Sequence, residues 1–172
     1  KKYDWKIYNL KITEAQGGSQ RVYTAKNTKN INIKKINKQI IKEKNKYKLF
    51  NNNTYKKFEK KINECKNQLQ KILKIFDEKN LSVAGYGAAA KTTTLLNYFE
   101  LLENKLIKYT FDDNTLTQGL YLPGTAIKIL NPKSLKSKKL DILIIFAWNY
   151  SDTIIKNIKK NRSIKKQRLK FL

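Results

Sequence analysis

Residues 5 to 13, Trp5-Lys6-Ile7-Tyr8-Asn9-Leu10-Lys11-Ile12-Thr13, alternate roughly between apolar and polar types and are rich in β-branched and aromatic side chains. Gln20 to Ala25 resumes the pattern after Gly17-Gly18-Ser19. This predicts a β-hairpin or two neighbouring strands around a glycine turn. A two-stranded ribbon is marginal alone in water, so it is expected to pack on the following helices or on material outside this chain. From Asn27 to Asn53 the chain is rich in Lys and Asn, and Ile31, Ile33, Ile36, Ile40 and Ile41 hint at a helix that Asn51-Asn52-Asn53 terminates. Thr54 is then the expected N-cap of a second helix reaching about Lys79, with Tyr55, Phe58, Ile62, Cys65, Leu69, Ile72, Leu73 and Phe76 at spacings of three and four. Cys65 falls on that stripe and reads as a small buried hydrophobe.

After Lys79-Asn80 the pattern changes character. Leu81 to Ala84 is a short apolar run leading into Gly85-Tyr86-Gly87-Ala88-Ala89-Ala90, and Lys91 to Leu102 has helical spacing through Leu95, Leu96, Phe99 and Leu102. Leu106 to Phe111 is a second strand ending in Asp112-Asp113, and a loop from Asn114 to Thr125 contains Gly119 and the turn former Leu122-Pro123-Gly124. Ala126 to Leu130 reads as a third short strand, Asn131-Pro132 opens a short helix, Leu140 to Phe146 is a near-continuous buried strand, and Tyr150 to Lys160 is the last helix. Alternating strand and helix predict a small Rossmann-like, doubly wound parallel α/β sheet. The expected organisation is a hairpin over 1–26, a Lys-rich helical connector over 27–80, the α/β domain over 81–160 and a frayed basic tail over 161–172. Internal repeats are absent from the sequence.

Composition narrows the chemistry. With 172 residues, at roughly 100 to 200 residues per domain, the chain holds one domain with an appendage or two small ones. Hydrophobic residues make up 40% and aromatics 11%, too rich for a disordered chain, and no apolar run approaches the roughly 20 residues of a membrane span. One cysteine and no histidine exclude an internal disulfide, a His-based zinc site and a Ser-His or Cys-His nucleophile within these residues. The chain has no methionine and opens Lys1-Lys2-Tyr3, so it is expected to be the C-terminal piece of something longer. The formal charge is +25, of which +12 lies on residues 26 to 80. Such a charge suggests a nucleic-acid or other polyanion partner at low salt. Yet the basic residues are almost all Lys, with Arg only at positions 21, 162 and 168, and a Lys-coated solvated face explains them equally.

The glycine turn has the pattern G-x-G-x-x-A. In a Rossmann reading Gly85 permits the tight turn out of the strand, Gly87 and Ala88 bring the backbone close to a ligand, and Ala90 is the small residue where helix meets sheet. Amides at the start of the next helix favour a phosphate, and Lys91 adds charge. The alternative is that the same glycines only close a short strand-to-helix connection. A P-loop is a distant second, because Ala90 stands where that pattern has glycine before Lys91-Thr92. Asp112 ends the next strand where a Rossmann acid holds a ribose hydroxyl, or else it caps the following loop.

Taken together, Val83 to Lys91, Thr94-Leu95-Leu96-Asn97-Tyr98, Asp112-Asp113-Asn114, Gln118 to Thr125 and Ala147-Trp148-Asn149 resemble the C-terminal domain of the S-adenosylmethionine-dependent sugar C-methyltransferases. Gly17-Gly18-Ser19 with Arg21-Val22-Tyr23 resembles the last strand pair of the methyltransferase domain that precedes it in that family. The likeness covers roughly residues 8 to 158. It implies a cytoplasmic enzyme in which an upstream zinc-binding region and an upstream methyltransferase domain, carrying the S-adenosylmethionine site and the catalytic base, adjoin this chain. The present residues would hold a nucleotide-linked keto-deoxysugar, with no membrane partner, no catalytic residue, no metal and no cofactor of their own, and would not turn over alone. Lys91 and the turn amides would take phosphate; Gln118, Tyr121 and Pro123-Gly124 would line the nucleotide or sugar; Asn149 would face the ligand at the end of its strand. Tyr121 as packing, Asn149 as a helix cap and Trp148 as core are the structural alternatives. The sequence departs from the family pattern at Gln16, Thr92 and Asp113, where His, Gly and Arg respectively are frequent.

Overall fold

The computed structural model describes residues 3–15, 18–26, 31–102, 106–161 and 169–172. Gln16, Gly17 and Arg162 lie outside the described residues. The chain divides into two compact units, Lys1–Asn63 and Glu64–Leu172.

In the first unit, β1 (Lys6–Thr13) and β2 (Ser19–Ala25) pair antiparallel, with Leu10 opposite Val22. The predicted hairpin is therefore present. Gly18 takes the left-handed backbone (φ 123°) that the turn requires. Helix α1 (Ile33–Ile41) is capped by Asn32, whose side chain accepts from the Lys35 amide at 3.1 Å and whose own N–H donates to the Tyr8 carbonyl at 2.9 Å. A π-helical turn over Lys42–Lys46 follows. The three asparagines do not end this helix; they open the next. Helix α2 (Asn52–Glu78) starts before Thr54, and the Asn51 carboxamide accepts from the Asn53 amide at 2.9 Å. Thr54 instead donates its hydroxyl to the Lys48 carbonyl at 2.9 Å, so the cap is Asn51. The apolar stripe of α2 is only half used: Leu73 is buried and Leu69 and Phe76 pack on the core, whereas Tyr55, Phe58 and Cys65 are exposed. Cys65 is thus not the buried hydrophobe its position suggested.

The second unit is the predicted parallel sheet. Its strands β3 (Val83–Tyr86), β4 (Ile107–Phe111), β5 (Lys128–Leu130), β6 (Ile142–Ile145) and β7 (Lys170–Phe171) lie in the order β5-β4-β3-β6-β7, with every pairing parallel. Side chains alternate between faces as the pleat demands. Val83, Ile107, Ile129, Ile142 and Ile144 point to one face. That face is covered by the second half of α2 and by α3 (Ala90–Tyr98). Ala84, Tyr86, Phe111, Leu143 and Ile145 point to the other, under α4 (Ser151–Lys160) and a 3-10 turn over Pro132–Ser137. Lys66 also bridges to Glu100 at 2.8 Å, and Gln70 donates to the Phe99 carbonyl at 2.9 Å, joining α2 to the turn after α3.

Residues 162–168 of the tail lie outside the described residues, and the last four residues depart from expectation. Lys170 donates to the Asp141 carbonyl at 2.8 Å, Leu172 donates to Leu143 at 3.1 Å, and Ile145 donates to Leu172 at 2.8 Å. Residues 169–172 therefore close the sheet edge instead of fraying, because β6 carries unpaired backbone groups and Leu169 and Phe171 bring apolar surface to cover its neighbours.

Candidate functional site

Strand order reverses direction between β3 and β6, with α3 leaving β3 on one face and α4 leaving β6 on the other. In open α/β sheets this reversal opens a crevice at the carboxyl ends of the strands. Here it holds a cleft of about 590 Å³ whose walls include Gly87, Asp112, Asp113, Tyr150 and Asn157.

The glycine turn at its base is built differently from the sequence reading. Gly85 does not turn the chain; it lies inside β3, and a Cβ there would come within 2.5 Å of the Phe146 ring and 2.8 Å of Thr110 Oγ1. Its missing side chain makes room for Phe146. Gly87 does make the turn (φ 109°), and a Cβ on it would stand 2.9 Å from the Ala147 backbone nitrogen. The Gly87 carbonyl accepts from two buried hydroxyls, Thr110 at 3.1 Å and Thr92 at 3.2 Å. A glycine at position 92 would give up this bond.

Two of the turn's amides already have acceptors. Gly87 N–H donates to the Phe111 carbonyl at 2.7 Å, and Ala88 N–H donates to the Asp112 carboxylate. The turn amides expected to take phosphate are therefore already occupied at these two positions. In the first turn of α3 the Thr92 and Thr93 amides donate to the Ala89 carbonyl at 2.9 and 3.4 Å.

Asp112 caps the loop, as one of its two sequence readings held: its other oxygen accepts from the Asn114 amide at 2.8 Å. Asp113 accepts from the Tyr86 phenol at 2.8 Å. Burial pushes the Tyr86 phenol well above its ordinary range, and the Asp113 hydrogen bond and the charges of Asp113 and Asp112 push it further. Tyr86 therefore stays a protonated donor and leaves the remaining Asp113 lone pairs as acceptors. Gln118 works behind this edge, donating to the Asp112 carbonyl at 2.9 Å and accepting from Asn131 at 2.7 Å. Asn131 in turn caps the Pro132–Ser137 turn through the Lys133 amide at 2.8 Å. Gln118 is thus a positioning residue.

Of the predicted site residues, Gly87 and Asp112 line the cleft. Gly85, Ala88 and Gln118 support its base from within. Lys91, Tyr121, Pro123, Gly124 and Asn149 do not line it: Tyr121 is exposed in a bridge to Lys128, and the Pro123-Gly124 turn lies against Asn97 of α3. Asn149 sits in a 3-10 turn over Trp148–Tyr150. Trp148, read as core, is instead 58% exposed, with the Lys91 ammonium 5.5 Å from its ring centre. Sequence reading missed Tyr86, Tyr150, Thr153 and Asn157, all cleft residues. The last three were visible as a polar row at helical spacing beside the apolar Ile154 and Ile158.

A Rossmann-ordered parallel sheet with a carboxylate-edged cleft at its switch point defines a Rossmann-like α/β domain. The chain belongs to the C-methyltransferase C-terminal domain family, whose model matches residues 14–171. It is similar to the C-methyltransferase NovU of Streptomyces niveus, 26% identical over 155 residues that cover 90% of this chain and 37% of that protein. The chain thus spans little over a third of the length of this relative. Among the described residues no group of three or more His, Cys, Asp or Glu side chains comes together as a metal site, and no helix is long and apolar enough to cross a membrane.

Proposed function

We propose that this chain is the substrate-side domain of an S-adenosylmethionine-dependent C-methyltransferase acting on a nucleotide-linked keto-deoxysugar. The observation that carries the reading is the cleft at the strand ends, where Asp112 and Asp113 present acceptors and Tyr86 is held as a donor. Carboxylates of this kind suit sugar or ribose hydroxyls, because each hydroxyl donates one hydrogen bond to a charged acceptor. They do not suit phosphate. The diphosphate falls instead to Lys91 and the start of α3.

In the reaction class, a base breaks the C–H bond next to the sugar ketone and the resulting carbanion or enolate forms the new C–C bond to the methyl group. S-adenosylmethionine supplies that methyl group, and neither its site nor the base is assigned to these residues. Zinc is likewise assigned elsewhere. What this chain contributes is binding and orientation, which convert an encounter into a near-attack geometry. Methyl transfer by the chain alone is not expected.

Thermal unfolding at physiological salt tests the reading. Nucleoside diphosphates and nucleotide hexoses should raise the midpoint in proportion to the logarithm of their concentration above Kd. No shift with any of them contradicts it.

A further inference from the structure

We infer that the cleft reads its ligand in one fixed direction, with the nucleobase on Trp148, the phosphates at Lys91 and the sugar hydroxyls at Asp112 and Asp113. The inference rests on the nucleotide-sugar reading above and adds the orientation and the base contact. Three chemistries follow one another around the carboxyl ends of β3, β4 and β6. Trp148 offers an exposed indole immediately after the cleft residue Ala147. A tryptophan more than half exposed at the edge of a cleft is a large apolar surface left for something planar. Lys91, two positions after the cleft residue Ala89, holds its ammonium 5.5 Å from that ring. A base that stacks on the indole takes over the face the ammonium covers, and the cation then meets the phosphates attached to the base's ribose. The first-turn amides of α3 stand beside it with the helix dipole behind them.

The acidic edge fixes the other end. Asp112 is held by the Ala88 and Asn114 amides and Asp113 by the Tyr86 phenol, so neither carboxylate is free to swing away from the cleft. Two carboxylates repel a diphosphate and accept hydroxyls. The reverse orientation would put phosphates against Asp113, where Lys133 also lines the cleft, and would leave the indole facing a polar hexose edge, which loses the stacking. Tyr150 and Asn157 also line the cleft.

The two tryptophans, Trp5 and Trp148, make the test direct. In a Trp5→Phe background Trp148 is the sole indole emitter. A nucleoside diphosphate should quench its fluorescence, and inorganic pyrophosphate at the same concentration should not. Trp148→Ala should weaken nucleoside diphosphate binding about tenfold and leave pyrophosphate binding within about twofold; Trp148→Phe should recover most of the loss. Lys91→Ala should weaken both anions. Asp113→Asn should weaken a nucleotide hexose and leave the nucleoside diphosphate unchanged. If the unaltered chain binds a nucleotide hexose and Trp148→Ala binds it equally well, the orientation is overturned while the substrate class stands. If the unaltered chain binds no nucleotide or nucleotide hexose at all, the substrate class itself is overturned.

Discussion

Gly87 and Gly85 share a motif but do different work, and substitution separates them. At Gly87 alanine must adopt a left-handed φ and push against the Ala147 backbone, which cannot yield cheaply; backbone strain of this kind costs about 1–3 kcal/mol. At Gly85 the conflict is with the Phe146 ring and the Thr110 hydroxyl, and overpacking costs about 1–3 kcal/mol. Gly85→Ala should therefore be relieved in part by Phe146→Leu, whereas Gly87→Ala should not, a difference that denaturant midpoints of the single and double variants would read. Tyr86 makes a pH-dependent prediction. Its folded phenol titrates above the unfolded one, so its contribution is fully present below about pH 10 and is lost as pH rises from there. Tyr86→Phe should flatten the fall in unfolding midpoint above that pH. The pattern G-x-G-x-x-A disclosed a turn at the right place, but not which glycine turned. That is decided by Phe146 and Ala147, some 60 residues away in sequence, which no local pattern displays. Nor did the motif show that Asp112 would close the Ala88 amide.

Among the elements, the long periodic segments were the most legible. The hairpin, the second helix and the strand-helix alternation follow from side-chain spacing, because burial on one face enforces period two or 3.6. Boundaries were less so. Asn51-Asn52-Asn53 resembles a stop signal, yet an asparagine side chain caps a helix start by accepting an amide, and that local competition put the cap at Asn51. The α2 stripe was legible as apolar but not as half unused, since periodicity shows that a face is apolar and not what lies over it. Exposed Cys65 should accordingly react with a maleimide in the native state at a rate close to that of a free thiol. The short β7 strand was hidden because two residues carry no period at all. It gains its place from the open edge of β6 and from Phe171. Removing residues 169–172 takes away three backbone hydrogen bonds to β6 and its flank, and at about 1 kcal/mol each the loss should lower stability by about 3 kcal/mol, measurable as a shift in the denaturant midpoint without loss of the remaining sheet.

On the scale of the whole molecule, charge and site point to different partners and have to be separated. The formal charge of +25 will draw any polyanion at low ionic strength, and that attraction falls steeply with salt because it arises from released counterions. Its largest share, on residues 26 to 80, includes none of the cleft residues, which fall between Tyr86 and Asn161. A nucleotide sugar held as proposed would draw in addition on stacking and hydroxyl contacts, which salt screens far less than the Lys91–phosphate attraction. Family membership was legible from several short motifs in the right order; the Gln118 to Thr125 segment carried part of that likeness, and its Tyr121 and Pro123-Gly124 nevertheless stand outside the cleft. The most direct test of the account is amide chemical-shift mapping of the chain with a nucleotide hexose at about 0.15 M salt, where exposed charges are screened beyond about 8 Å. The account predicts perturbations concentrated at Ala88 to Lys91, Asp112 to Asn114 and Trp148 to Tyr150. Perturbations confined to the Lys-rich residues of α1 and α2, or none, would contradict it.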